Sequence, residues 1–101
     1  MNIYYCLCGE FLLILDVKID RLPRRQTDGA FILNTKKRTY KLNTVFSKKV
    51  VVKRTPEEGN TDKKVGFEAQ NRHCCPKCGL FVCYDQKGVF SYILDGSLIK
   101  K

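Results

Sequence analysis

At 101 residues the chain has the length of one domain, residues 1–101, with room for only a modest core. No run approaches the ~20 apolar residues of a membrane span, and residues 1–5 lack the basic start of a signal peptide, so neither a transmembrane segment nor secretory targeting is expected. The formal net charge of +9 favours a polyanionic partner such as RNA, or an acidic protein surface.

In chain order, residues 3–15 are rich in β-branched, aromatic and leucine side chains, interrupted by Cys6-Leu7-Cys8-Gly9. They read as strand, tight turn, strand. Alternation over residues 16–20 predicts that the second strand runs on to Ile19. Pro23 ends it, because proline lacks the amide donor and holds Leu22 extended. Residues 26–29 are a turn, and 30–34 a short apolar run. Thr39-Tyr40-Lys41-Leu42 alternates at period two and predicts a strand with one wet face; a helix over 35–42 would lack an apolar stripe. Val45 and Phe46 are β-prone, and a further strand is predicted over 50–54. Residues 56–64 hold no large apolar side chain and read as an exposed, mobile loop. Weak alternation over 65–71 leads into Cys75-Pro76-Lys77-Cys78-Gly79. Residues 80–84 form the returning strand and 85–88 a turn. Residues 89–94 and 97–100 are predicted as a hairpin joined at Asp95-Gly96.

The two cysteine pairs organise the rest. Each is a tight turn presenting two sulfurs, and each is followed at once by an apolar run, which predicts two cysteine knuckles at the tips of β-hairpins. Glycine after the second cysteine suits a knuckle, because it reaches positive φ without steric cost where backbone amides turn toward sulfur. Together Cys6, Cys8, Cys75 and Cys78 are the expected ligands of one structural Zn²⁺, at about 2.3 Å per Zn–S bond. Residues 9–74 separate the pairs, so the metal would clamp distant parts of the chain together. The competing readings are disulfides, which need an oxidising compartment, a Cys-x-x-Cys redox pair, which lacks the surrounding βαβ pattern, and unligated core thiols. The last suits Cys83 but not the knuckles. Cys74 competes with Cys75 for the ligand role through its spacing to Cys78. His73, the only histidine, reads as an exposed loop residue, a donor behind the ligands, or a substitute ligand.

Two basic stretches surround aromatic residues. Lys36, Lys37, Arg38 and Lys41 flank Tyr40; Lys48, Lys49, Lys53 and Arg54 lie near Phe46. Both are candidate contacts for RNA or a protein partner, with lysine and arginine on phosphate and an exposed ring stacked on a base. The alternative is a solvated strand face with both rings in the core. Arg21, Arg24 and Arg25, flanking Pro23 in a turn, form a candidate clamp on phosphate or carboxylate.

Several of these stretches carry a family resemblance. Tyr4-Tyr5-Cys6-Leu7-Cys8-Gly9, Leu22-Pro23-Arg24 with Asp28 after it, Lys53-Arg54 before Pro56-Glu57-Glu58-Gly59, Cys75-Pro76-Lys77-Cys78-Gly79-Leu80 and Ile93-Leu94-Asp95-Gly96 together resemble the STING ER-exit protein family over nearly the whole chain. The resemblance implies no enzyme activity, and it carries the metal role onto Cys6, Cys8, Cys75 and Cys78. It implies two settings: helping a membrane-bound innate-immune adaptor leave the endoplasmic reticulum, and association with late, catalytically activated spliceosomes. His73, Cys74 and Cys83 lie outside the family's ligand pattern. The longer leader and charged helical tail of family members are not part of these 101 residues.

The expectation drawn from all this is a mostly β, small zinc-ribbon-like antiparallel domain with two cysteine knuckles. All four metal positions go to cysteine, leaving no open site, so catalysis by the metal is disfavoured. The favoured function is a non-enzymatic scaffold of the late spliceosome in mRNA splicing. Such a scaffold would be nuclear, contact RNA and splicing proteins, take no small-molecule substrate, and act as a monomer within a larger complex. The alternative is a cytoplasmic adaptor at the cytosolic face of the endoplasmic reticulum. A thiol redox enzyme is the least favoured class.

Overall fold

The computed structural model describes residues 1–54 and 66–100. The expected loop over 56–64 lies outside them. The described residues form nine strands, with no α-helix among them: β1 (Asn2–Tyr5), β2 (Phe11–Leu15), β3 (Phe31–Asn34), β4 (Tyr40–Leu42), β5 (Val45–Arg54), β6 (Gly66–Cys74), β7 (Phe81–Asp85), β8 (Phe90–Ile93) and β9 (Ile99–Lys100). They build two sheets, ordered β4-β2-β1-β9 and β3-β8-β7-β6-β5, and every strand pair is antiparallel. The mostly β, antiparallel fold is as expected. No helix of the described residues is long and apolar enough to cross a membrane.

The core lies between the sheets. Tyr4, Leu12, Leu13 and Leu15 come from one; Phe31, Leu33, Val82, Cys83 and Ile93 come from the other. Adjacent Leu12 and Leu13 of β2 point to opposite faces of the sheet, and both are fully buried. That burial on both faces explains a continuous apolar run where a half-wet strand would alternate.

Three expectations are corrected. β2 stops at Leu15, and Ile19–Arg21 forms a short 3-10 turn. The Tyr4 hydroxyl accepts the Ile19 amide at 2.9 Å, and Val17 and Ile19 pack against the core from this turn. Their period-two spacing therefore reports one buried side, not a strand. Val45 to Arg54 is one ten-residue strand, the longest described. The Asp95-Gly96 turn does form, with Gly96 at φ 84°, but it does not make a hairpin. β9 leaves β8 and pairs with β1 in the other sheet, Ile99 opposite Tyr5. Ser97 is buried and donates to the Leu94 carbonyl at 2.8 Å, fixing the crossing, and Leu98 joins the core.

Candidate metal centre

The two knuckles are built alike. In each, a hairpin closes around the cysteine pair: Tyr5 opposes Phe11 in the first and Cys74 opposes Phe81 in the second. In each, the first cysteine's amide donates to the carbonyl just past the glycine, Cys6 to Glu10 at 2.8 Å and Cys75 to Leu80 at 2.9 Å. The glycine amide returns a bond to the first cysteine's carbonyl, at 2.9 Å from Gly9 and 3.0 Å from Gly79. Gly9 and Gly79 hold φ of 96° and 79°, a region costly to residues with a Cβ. The register of each hairpin shifts just before its cysteines, between Tyr4 and Tyr5 and between His73 and Cys74. A bulge of this kind increases the local bend and turns the tip out of the sheet plane.

These turns bring the four sulfurs together. Cys6 Sγ lies 3.4 Å from Cys78 Sγ, Cys8 Sγ lies 3.7 Å from Cys75 Sγ, and all four fall within 4.8 Å of one another. A tetrahedron with Zn–S bonds of about 2.3 Å has edges of about 3.8 Å, so four thiolates here fit around one such ion. The cysteines are unbridged, and the distances exceed the ~2.05 Å of a disulfide. Four cysteines that can hold a metal ion thus sit where the sequence places the ligands. Each knuckle gives one buried sulfur, Cys6 or Cys75, and one exposed, Cys8 or Cys78. The site therefore straddles the edge of the core.

Electrostatics divide the set. Burial opposes ionisation of Cys75, but the amides of Cys78 and Lys77 and hydrogen bonds with Cys8 and Cys6 outweigh it, lowering this thiol to about 7. The Lys77 amide donates to Cys75 Sγ at 3.4 Å. At Cys6 the Cys8 amide favours the thiolate, but burial and the neighbouring sulfurs prevail and push the thiol up to about 12. Without a cation, ionisation of the cluster is thus easier at Cys75 than at Cys6. A divalent cation would favour deprotonation of the remaining ligands.

The neighbouring candidates fall elsewhere. Cys74 ends β6, half-buried, outside the four-sulfur set. Cys83 is buried on β7, and burial pushes its thiol up to about 12. His73 is not a loop residue: it lies within β6, its Nε2 2.8 Å from Asp85 Oδ2 and its ring edge-on to Phe46. Asp85 also accepts from Asn71 Nδ2 at 3.0 Å and from the Lys87 amide at 3.1 Å. Its burial opposes ionisation, yet these bonds and His73 hold the carboxyl below its ordinary value.

The basic candidates are scattered and partly engaged within the chain. Arg24 donates to Asp95 and to the Gly29 carbonyl and lies over the Phe31 ring. Arg25 does clamp a carboxylate, but an internal one: its two terminal nitrogens meet the two oxygens of Glu68, and its guanidinium stacks 4.7 Å above Tyr92. The Tyr84 hydroxyl accepts from Arg25 and donates to Asp28. Burial and the bond to Asp28 keep this phenol protonated. Lys36 and Lys37 sit in a turn closed by Asn34 Oδ1, which accepts both their amides. Arg38 lies 3.9 Å from Asp16. Lys41 is exposed on edge strand β4, and Tyr40 packs on the core. Lys48, Lys49 and Lys53 are exposed on β5, while Phe46 is 61% exposed. Arg54 ends that strand. Sequence reasoning missed Glu68, Tyr84 and Tyr92, the groups that hold Arg25. Separated in sequence, they carry no local pattern.

Compared with known proteins, residues 1–101 match the STEEP1 domain along their whole length. The chain belongs to the STEEP1 domain family. It is 31% identical over 102 residues to the STING ER exit protein of Drosophila melanogaster. The match takes in 99% of this chain and 39% of that relative, so the chain spans well under half of the relative's length. These matches correct the expected function. A relative named for exit from the endoplasmic reticulum replaces the nuclear spliceosome scaffold, and the expected partners, spliceosomal proteins and RNA, fall with it. The physical reason for the error is plain: net charge reports a basic surface and does not name what meets it.

Proposed function

We propose that this chain is a non-enzymatic, zinc-stabilised module of an adaptor that acts at the cytosolic face of the endoplasmic reticulum and promotes exit of a membrane protein. The observation that carries the reading is the whole-length match to the STEEP1 domain, together with a relative named for STING exit from that compartment. One Zn²⁺ held by Cys6, Cys8, Cys75 and Cys78 completes it, supported by the sulfur distances. Four thiolates fill a tetrahedral ion and leave no position for substrate or water, so the metal's part is structural. It joins the β1–β2 hairpin to the β6–β7 hairpin and so holds the two sheets together at one end.

The test is a depletion and rescue experiment in cells carrying fluorescent STING. Depletion is expected to slow its passage from the endoplasmic reticulum to the Golgi, the wild-type chain in its full-length context to restore it, and Cys6→Ser with Cys78→Ser to fail. Passage unchanged by depletion would overturn the adaptor reading. Native mass spectrometry tests the metal separately: one zinc per chain is expected, lost in the double variant.

A further inference from the structure

Strand β5 is the longest described and the outermost of its sheet; β6 covers one of its edges, and the other has no partner strand among the described residues. β7 pairs with β6 only over Asn71 to Cys74, so the outer parts of β5 and β6 form a two-stranded arm. Its side chains divide by register. Phe46, Lys49, Val51 and Lys53 oppose His73, Asn71, Ala69 and Phe67 on one face. Lys48, Val50 and Val52 oppose Arg72, Gln70 and Glu68 on the other. On the first face Phe46, Val51 and Phe67 are 61%, 61% and 73% exposed. On the second, Lys48 and Arg72 line a cavity of about 230 Å³ with Ser47, Cys74, Gly79 and Phe81, at the foot of the strand where the pairing shifts.

An open edge offers a row of backbone donors and acceptors, and extended peptides bind such edges by adding a strand. The charge on β5 decides which peptide. The strand carries Lys48, Lys49, Lys53 and Arg54 and no acid. Two copies of β5 side by side would set like charges against each other, which disfavours self-pairing. An acidic strand turns the same charges into attraction.

We propose that β5 accepts an extended acidic–apolar peptide from a protein partner as a sixth strand of its sheet. Side chains directly opposite share a face, so the register specifies the pattern. Opposite Lys48, Lys49, Val50, Val51, Val52 and Lys53 stand, in order, acid, acid, apolar, apolar, apolar, acid. The acid opposite Lys48 projects on the face of the cavity that Lys48 shares with Arg72. The assignment rests on the strand and its charges, and stands whichever membrane protein the adaptor serves.

The probe is a labelled peptide with the core Glu-Val-Ile-Val-Glu-Glu, which meets this pattern running antiparallel, and its reversal, which meets it running parallel. Both are titrated by fluorescence anisotropy against the 101-residue chain purified with zinc, at about 50 mM salt. One of them is expected to bind, to weaken as salt rises, and to slow hydrogen exchange at alternate amides of β5. Lys48→Glu, Lys49→Glu and Lys53→Glu together lie on exposed positions. They are expected to keep the melting temperature and lose tenfold or more in affinity. A third peptide with proline at two adjacent central positions keeps the charge and loses an amide on the side that faces β5, so it cannot extend the ladder there. Equal binding of that peptide would overturn strand addition, as would protection away from β5, no binding by either core peptide, or full affinity in the triple lysine variant.

Discussion

Stripping the metal is the perturbation with the largest expected effect. A metal held by the two cysteine pairs would close a loop that includes residues 9–74. Cross-linking about 70 residues removes roughly 4 kcal/mol of loop entropy from the unfolded chain, by the relation used for disulfides. A domain of this size is stable by only about 5–15 kcal/mol, so the clamp is a large share of the total. With an unfolding entropy of about 2.1 cal/mol/K per residue, a loss of about 4 kcal/mol lowers the melting temperature by about 20 °C. The assay is a circular-dichroism melt at pH 7 with and without a strong zinc chelator, repeated on Cys78→Ser. Cys78 is exposed, so its serine variant loses a ligand without opening a core cavity. Cys74→Ser is the control, a neighbouring cysteine outside the four-sulfur set, expected to shift the melt by a few degrees at most. A melt unmoved by chelation, or an equal drop in Cys74→Ser, would refute the clamp.

The other predictions concern groups around the clamp. Arg25→Ala is expected to cost about 2–3 kcal/mol in urea unfolding, because it takes the neutralising charge from the largely buried Glu68 carboxylate, which keeps its bond from Gln70, and removes the stack on Tyr92. Arg25→Lys should not rescue it, since an ammonium cannot make the two-pronged contact. The Asp85 carboxyl is held below its ordinary value. Its contribution is therefore fully present above the unfolded value of about 3.9 and lost as pH falls through the lower folded value. The stability gap between wild type and Asp85→Asn should be open above about pH 4 and close as pH falls below it. Cys83, buried and raised to about 12, should react with a thiol reagent at pH 7.5 only as fast as the chain unfolds. Cys83→Ala should retain the full metal content by mass spectrometry. Gly79→Ala should cost about 1–2 kcal/mol for its φ of 79°, with the cost read from chemical unfolding of the metal-loaded protein.

What the sequence made legible follows from the range over which each signal acts. The knuckles are local: cysteine, glycine and an apolar run within six residues fix a turn chemistry, and Cys6, Cys8, Cys75 and Cys78 converge as their motifs imply. Strand identity was legible for the same reason, since β-branched and aromatic runs need no distant partner to be recognised. Strand pairing was not. The Asp95-Gly96 turn is correct chemistry in the wrong topology: its geometry allows a hairpin, and the choice of β1 as partner for β9 rests on residues more than ninety positions away. Arg25 shows the same limit for a site. Two adjacent arginines beside a proline look available to a ligand, yet Glu68, Tyr84 and Tyr92 reach Arg25 from strands no local pattern connects to it. The inference from +9 to RNA failed one step further out. Some of that charge is spent on Glu68, Asp95 and Asp16, and what remains is ordered by the sheet into particular rows. On β5 the lysines stand along a strand edge with no partner strand among the described residues, where spacing and backbone direction would constrain a partner as well as sign. A count of charges is blind to that arrangement, and the strand addition proposed for β5 rests on the arrangement rather than on the count.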